Sequence, residues 1–214
     1  MSSSSHRVMD KKRKRPSTDS FAEYESNARD REIERLESKA TLSPKYYNNI
    51  ATILSIMHDA GRKSGPDRGA TVALCRIFTR LFVAGQFRNR KAHTQEGVVV
   101  QQWLEEKYAE FFALLLEALN RQSLIDTNLA MTVMMKLVQC EVCCQGHHMW
   151  ANGIFTQVLR TFLEPLSEVD AARSIFINEY FMKYDDVRLN SLQLLVLVEN
   201  PNQLLLNGVA NEPQ

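Results

Sequence analysis

Apolar side chains recur along most of the chain at steps of three and four residues. Leu129, Val133 and Leu137 form one such stripe, and comparable stripes follow one another from about residue 43 onward. This spacing places the apolar side chains on one face of an α-helix. Sustained alternation with a period of two does not occur, and the only strand-like run, Val98–Val100, has helical surroundings. The pattern predicts an all-α fold.

The apolar stripes and their flanking cap residues predict where each helix begins and ends. Ser43 is suited to an N-cap with Pro44 in the first turn, and Gly85 is suited to the position after a helix end. The predicted helices span about 20–40, 44–60, 70–84, 95–119, 126–144, 147–164, 167–180 and 185–198. Helices of this length, arriving as antiparallel pairs, predict a helical solenoid similar to HEAT repeats.

Composition divides the chain into four parts. Residues 1–20 are rich in Ser and basic side chains, which predicts a disordered tail. Residues 21–42 carry many charges and a thin apolar stripe, which predicts an exposed charged helix or linker. Residues 43–200 hold the predicted helical-repeat domain, and residues 201–214 are expected to be frayed.

The N-terminal tail contains a run of five consecutive cations that ends at a proline. Adjacent cations repel one another, so they remain extended and solvated, which is the form that nuclear import receptors bind. The sequence therefore predicts an import signal and a nuclear location; the alternative is a tail that is merely solvated. The predicted signal consists of Lys11, Lys12, Arg13, Lys14, Arg15 and Pro16.

A second basic segment lies at 61–91, where eight cations accompany a single acid, Asp67. Three of the cations are predicted in the loop 61–69, two on the following helix and three in the connection after it. They are Arg62, Lys63, Arg68, Arg76, Arg80, Arg88, Arg90 and Lys91. Such a stripe is suited to an acidic protein partner or to phosphate groups. Because aromatic side chains are not interleaved with the cations, a solvated or protein-contacting face is favoured over RNA contact.

The segment Cys140–His148 contains three cysteines and two histidines and is a candidate metal or nucleophile site. Zinc sites pair such a cluster with a second ligand pair, which the sequence lacks. Cys140 and Cys144 also continue an apolar stripe, so packing in the core is the favoured interpretation. A Cys–His nucleophile pair lacks any sign of an activated thiol.

Further features favour a non-enzymatic protein of a reducing compartment. The acidic pairs Glu105–Glu106 and Asp185–Asp186 point about 100° apart on a helix and do not converge. The four cysteines form a poor disulfide framework. The longest apolar runs fall far short of the roughly 20 residues that cross a bilayer. We therefore expect no cofactor, no metal and no membrane contact.

Four motifs in a fixed order carry a resemblance to a known family. They are Tyr46–Leu54 (YYNNIATIL), Ala73–Leu81 (ALCRIFTRL), Val99–Tyr108 (VVQQWLEEKY) and Lys183–Arg188 (KYDDVR). This order resembles the N-terminal half of the fungal nucleolar complex protein four family, of the CCAAT-binding-factor/Mak type. The resemblance covers about residues 30–190.

The resemblance implies a helical-repeat scaffold of the small-subunit processome in the nucleolus. Such proteins serve small-subunit rRNA maturation and pre-subunit export with a partner, nucleolar protein fourteen, and have no known catalytic residues. A direct DNA- or RNA-binding factor related to transcription is the alternative, although a helix-turn-helix or zinc-finger signature is missing. The hallmark C-terminal domain, associated with partner binding, would follow residue 190, so a fragment, truncated product or altered C-terminus is expected.

Overall fold

The structure, a computed structural model, describes residues 18–63, 67–87, 95–119, 124–163 and 169–199. Side chains are described within these ranges except at 18–26, 61–63, 124–125 and 197–199. The helices are α1 (Thr18–Ala40), α2 (Asn48–Lys63), α3 (Arg68–Val83), α4 (Gln95–Leu119), α5 (Leu124–Gln145), α6 (Met149–Asn152), α7 (Ile154–Leu163), α8 (Asp170–Phe176) and α9 (Asp185–Glu199). The described residues contain no β-strand, and the prediction of an all-α helical-repeat fold is confirmed.

In the connection between α1 and α2, Ser43 acts as the predicted N-cap. Ser43 is extended, and its hydroxyl accepts a hydrogen bond from the Lys45 amide at 3.4 Å. A short 3₁₀ turn, Pro44–Tyr46, precedes α2. The predicted loop 61–69 is shorter than expected, because α2 continues through Lys63 and α3 already begins at Arg68.

Helix α3 is closed at its C-terminal end by a glycine, as predicted. Gly85 adopts φ 73°, a left-handed conformation that side chains with a Cβ disfavour. Its amide donates to Phe82 O at 2.9 Å, and the Gln86 amide donates to Leu81 O at 3.0 Å. These two bonds satisfy carbonyls that the helix end leaves unpaired.

Helix α5 is the centre of the body and packs against α3, α4, α6, α7 and α8. The predicted stripe on α5 is only one of its buried faces, because Met131, Met134 and Val138 are buried as well. The helix also begins earlier than predicted. Asp126 and Thr127, at the start of the predicted helix 126–144, lie in the first turn of α5 and are themselves buried.

An aromatic cluster joins α3 to α4. The rings of Phe82 and Phe87 stack with centroids 4.3 Å apart, and those of Phe78 and Phe111 stack at 5.6 Å. Tyr108 meets Phe78 edge-on at 5.2 Å. Buried aromatic pairs stabilise a core beyond the area that they remove from water.

The C-terminal half departs from the predicted helices in two places. The single helix predicted after Gly146 is divided at Gly153, whose φ of −95° and ψ of −165° interrupt the path between α6 and α7. The helix predicted up to Tyr180 changes after α8 into a π-helical segment, Ile177–Phe181. Helices α4 and α9 nevertheless have nearly the bounds that their apolar stripes predict.

Helix α1 is more deeply packed than its thin stripe indicated. Ile33, Leu36 and Ala40 are all buried, and α1 packs against both α2 and α3. Glu37, on the same side of the helix, is buried too. The basic run Lys11–Pro16 and the residues after Glu199 lie outside the described part of the chain.

Candidate functional site

The structure places the cations of the basic segment on different elements. Arg68, Arg76 and Arg80 lie on α3, whereas Arg62 and Lys63 belong to the last turn of α2 and their side chains are not described. The other predicted contact residues lie outside the described ranges. They are Arg88, Arg90 and Lys91.

Arg76 and Arg80 meet on a single carboxylate from α1. Arg76 Nη2 donates to Glu37 Oε2 at 2.9 Å, and Arg80 Nη1 donates to Glu37 Oε1 at 3.4 Å. The Glu37 side chain is 9% exposed, whereas the two arginine side chains are 52% and 54% exposed. Helix α1 therefore covers one side of the arginine pair, and solvent reaches the other side.

The start of α3 carries further ion pairs. Asp67 accepts a hydrogen bond from the Ala70 amide at 2.9 Å and thereby caps α3, and Arg29 of α1 lies 3.6 Å from the same carboxylate. Arg68 Nε lies 3.8 Å from Asp126 Oδ1 of α5. Each of the three described arginines of the basic segment thus has an acidic partner within the chain.

A cleft of about 470 Å³ lies between α1 and the start of α3. Asp30, Glu34 and Asp67 line it together with Arg68 and Arg76. Because its wall mixes both charges, the cleft is better suited to a partner that also carries both charges than to a polyanion.

The cysteine and histidine segment is divided between the core and the surface. Cys140 is buried on α5, where its thiol donates to Thr79 Oγ1 at 3.7 Å, and burial raises its pKa. Cys143 and His148 are exposed, the histidine in the turn after α5. Within the described ranges, no three potential ligands are arranged to hold a metal ion.

Glu141 is a buried carboxylate that joins three helices, and local spacing in the sequence does not predict this role. The Tyr108 hydroxyl of α4 donates to Glu141 Oε1 at 2.9 Å, and the Ile154 amide donates to Oε2 at 3.0 Å. The carboxylate thus satisfies the free amide at the start of α7, directly after the break at Gly153. Burial raises the pKa of Glu141, and these two hydrogen bonds offset part of the rise. The signal in the sequence was an acid among apolar side chains near the C-terminal end of α5.

A groove of about 370 Å³ opens beside α5, between α6 and the π segment. Val142, Trp150, Tyr180 and Tyr184 contribute its apolar lining. The Tyr180 and Tyr184 rings stack with centroids 6.3 Å apart, at the C-terminal end of the π segment. The groove is concave and aromatic, as protein contact surfaces often are.

A family model described as nucleolar complex protein 4-like, TPR repeats, matches residues 22–202. The chain belongs to this family. The match spans the described helical body from α1 to α9 and confirms the resemblance carried by the four motifs. Searches of curated proteins and of solved structures gave no match.

The family assigns the helix pairs to the TPR class. TPR and HEAT repeats share stacked antiparallel helix pairs and differ in repeat length, about 34 against 40–47 residues. The nucleolar complex protein 4-like family is a scaffold-type helical-repeat family and not a known enzyme family. It implies protein–protein contacts within a nucleolar complex. In the described ranges, no helix has the length and apolar character of a membrane span.

Proposed function

We propose that the chain is a non-enzymatic scaffold that assembles the precursor of the small ribosomal subunit in the nucleolus. In this role it serves small-subunit rRNA processing, pre-subunit assembly and export. The match of the nucleolar complex protein 4-like family over residues 22–202 is the observation that carries the proposal.

The geometry of the charged groups supports a scaffold. Both glutamates that are buried in the described ranges are engaged within the chain, Glu37 by two arginines and Glu141 by a hydroxyl and a backbone amide. Glu37 connects α1 to α3, and Glu141 connects α5 to α4 and α7, so both glutamates have a structural role. Contacts with partners are then left to the solvent-facing sides of the helices and to the aromatic groove, as is usual for helical solenoids.

The partners in this proposal are nucleolar protein fourteen, pre-rRNA and an import receptor. The import receptor binds the basic run Lys11–Arg15, and Pro16 ends that run. For the basic segment we propose contact with acidic or mixed-charge protein surfaces first, because its described arginines already have internal acidic partners. Contact with rRNA phosphates is the second interpretation.

Imaging of the full chain with a nucleolar marker tests the proposed nucleolar localisation. The fluorescent tag should be large enough to prevent passive passage through nuclear pores. We expect nucleolar signal from the unaltered chain and cytoplasmic signal when Lys11–Arg15 are replaced by alanine. An unrelated import sequence, grafted onto that variant, should restore nucleolar signal if the basic run serves only nuclear import. A diffuse cytoplasmic signal from the unaltered chain contradicts the nuclear proposal.

Binding to an rRNA fragment at several salt concentrations tests the basic segment. Each phosphate contact contributes about 0.7 to 0.9 to the slope of log affinity against log salt. If Arg76 and Arg80 contact phosphates, alanine at both lowers that slope, whereas alanine at Arg160, an exposed arginine on α7, leaves it unchanged. An unchanged slope in both variants removes RNA from the proposal for this pair. Binding to duplex DNA with a sequence preference would instead favour the transcription-related alternative.

A further inference from the structure

The connection between α1 and α2 contains the only serine–proline pair of the sequence. Among the six prolines, Pro44 alone follows a residue with a hydroxyl group, Ser43. Proline has no amide hydrogen, so it suits an enzyme site that offers no acceptor for the amide of the residue after a serine. Protein kinases that are directed to serine followed by proline select their substrates in this way. The sequence at Ser43 is therefore of the kind that such kinases modify.

The backbone at Ser43 already has the conformation that a kinase site requires. A peptide substrate lies extended in the groove of a protein kinase, and Ser43 is extended, with φ −162° and ψ 149°. The proline favours this conformation, because its ring clashes with a helical residue before it. Within the described part of the chain, the Ser43 hydroxyl accepts a single long hydrogen bond, from the Lys45 amide at 3.4 Å. The hydroxyl is thus held only weakly.

Solvent reaches the chain on both sides of Ser43. Leu42 is 74% exposed, Pro44 is exposed as well, and Ser43 itself is partly exposed. Burial begins at Ala40 on one side and at Tyr47 on the other, where the chain enters the core. The six residues between these two positions are open to an enzyme.

The short turn after Ser43 has to open when the segment enters an enzyme groove. Two backbone hydrogen bonds close this turn. The Tyr46 amide donates to Ser43 O at 2.9 Å, and the Tyr47 amide donates to Pro44 O at 3.1 Å. A surface connection with so few hydrogen bonds can open locally while the helices that flank it remain folded.

The charges near Ser43 suit a phosphate group. From residue 39 to residue 49, the charged residues are Lys39 and Lys45, and both are basic. The nearest acid along the chain, Glu37, is buried and already binds two arginines. A phosphoserine carries a charge of about −1.5 to −2 at neutral pH and is stabilised by nearby cations. The connection can therefore accept the added charge without repulsion from its own side chains.

We propose that Ser43 is a phosphorylation site for a proline-directed protein kinase, with ATP as the phosphoryl donor. Ser43 Oγ forms a bond to the γ-phosphorus of ATP, and the bond from that phosphorus to the β–γ bridging oxygen breaks. ADP leaves, and the hydroxyl proton passes to the carboxylate base of the kinase. This covalent modification goes beyond the proposed scaffold role and does not depend on it.

Incubation of the full chain with a purified cyclin-dependent kinase and ATP, followed by phosphopeptide mass spectrometry, tests the site. We expect phosphate at Ser43 and loss of its incorporation in Ser43→Ala. Ser38→Ala is the matched control, because Ser38 is an exposed serine on α1 that lysine follows. This control should leave the incorporation of phosphate unchanged.

Pro44→Ala tests the role of the proline. It keeps the Ser43 hydroxyl and restores the amide hydrogen that the kinase site leaves unpaired, so the rate should fall at least about tenfold. A synthetic peptide of residues 38–48 measures the effect of the fold. If opening the turn costs only its two backbone hydrogen bonds, the full chain should react no more than about a hundredfold more slowly than the peptide. Circular dichroism checks that Pro44→Ala remains helical.

Three results would each overturn the proposal. They are a full chain that stays unmodified while the peptide is modified, phosphate confined to residues other than Ser43, and an unchanged rate in Pro44→Ala. The kinase assay depends only on this connection, whereas nucleolar imaging tests the scaffold role. Failure of one proposal is therefore distinguishable from failure of the other.

Discussion

Replacement of Gly153 by alanine should destabilise the chain strongly, because the break between α6 and α7 leaves no room for a methyl group. A Cβ at Gly153 would lie 2.1 Å from Glu141 Oε2 and 2.7 Å from the Met149 carbonyl oxygen. The φ of −95° at this glycine is accessible to alanine, so the cost arises from these contacts rather than from backbone strain.

These two close contacts determine how much stability Gly153→Ala should cost. To make room, the Glu141 carboxylate must move by more than 1 Å, a shift of about the size that breaks its 3.0 Å hydrogen bond from the Ile154 amide. Overpacking costs about 1–3 kcal/mol, and loss of a hydrogen bond to a charged group costs about 1.5–3 kcal/mol. We expect a total loss of about 3–5 kcal/mol, a large part of the usual 5–15 kcal/mol of a folded protein.

Urea unfolding and thermal melting, followed by circular dichroism, measure this loss. For a chain of this length, 1 kcal/mol lowers the Tm by about 2–4 °C, so a fall of about 10 °C is expected. Gly69→Ala is the matched control. A Cβ there would meet only side-chain atoms, at 3.2 Å or more, and alanine favours the helix by up to about 1 kcal/mol.

A double variant isolates the clash. Glu141→Ala removes the oxygen that the new methyl group strikes, so Gly153→Ala should cost less in that background than in the unaltered chain. The contact with the Met149 carbonyl remains in both backgrounds. A Gly153→Ala chain that unfolds within about 0.5 kcal/mol of the unaltered one, a typical surface-substitution effect, would refute the reasoning.

Further substitutions test the charged groups that connect the helices. Asp67→Ala removes the cap of α3 and should cost about 1 kcal/mol in urea unfolding; an effect no larger than noise would contradict the cap. Glu37→Ala removes the tie between α1 and α3 and should cost about 1 kcal/mol, because its arginine partners are half exposed, whereas Glu32→Ala, in an exposed pair, should cost clearly less. The raised pKa of Glu141 means that the folded state binds its proton more tightly than the unfolded state. As pH rises above the ordinary value of 4.5, the free energy of unfolding should therefore fall relative to that of Glu141→Gln, and parallel pH profiles would contradict this.

The features that the sequence predicts correctly are local ones. The apolar stripes give the bounds of α4 and α9 within a residue or two, since helical periodicity depends on neighbours three and four residues away. The glycine after α3 is predicted for the same reason, because a left-handed residue follows directly from the end of one helix.

The features that the sequence misses depend on residues far apart in the chain. Glu141 receives its hydrogen bond from Tyr108, 33 positions earlier, and Glu37 receives its own from Arg76, 39 positions later. Neither hydrogen bond can be predicted from the spacing of residues along one helix. The break at Gly153 was missed because the apolar stripe continues across it from Trp150 to Ile154. Which faces of α5 are buried likewise depends on five neighbouring helices.

Sedimentation of a tagged full chain from nuclear extract through a sucrose gradient tests the scaffold role most directly. Northern analysis of the tagged fractions would identify the rRNA precursors that accompany the chain. We predict that the chain sediments with large particles that contain small-subunit rRNA precursors, and that it returns to light fractions after RNase treatment. A chain that remains in light fractions, free of rRNA precursors, would contradict a role in assembling the small-subunit precursor.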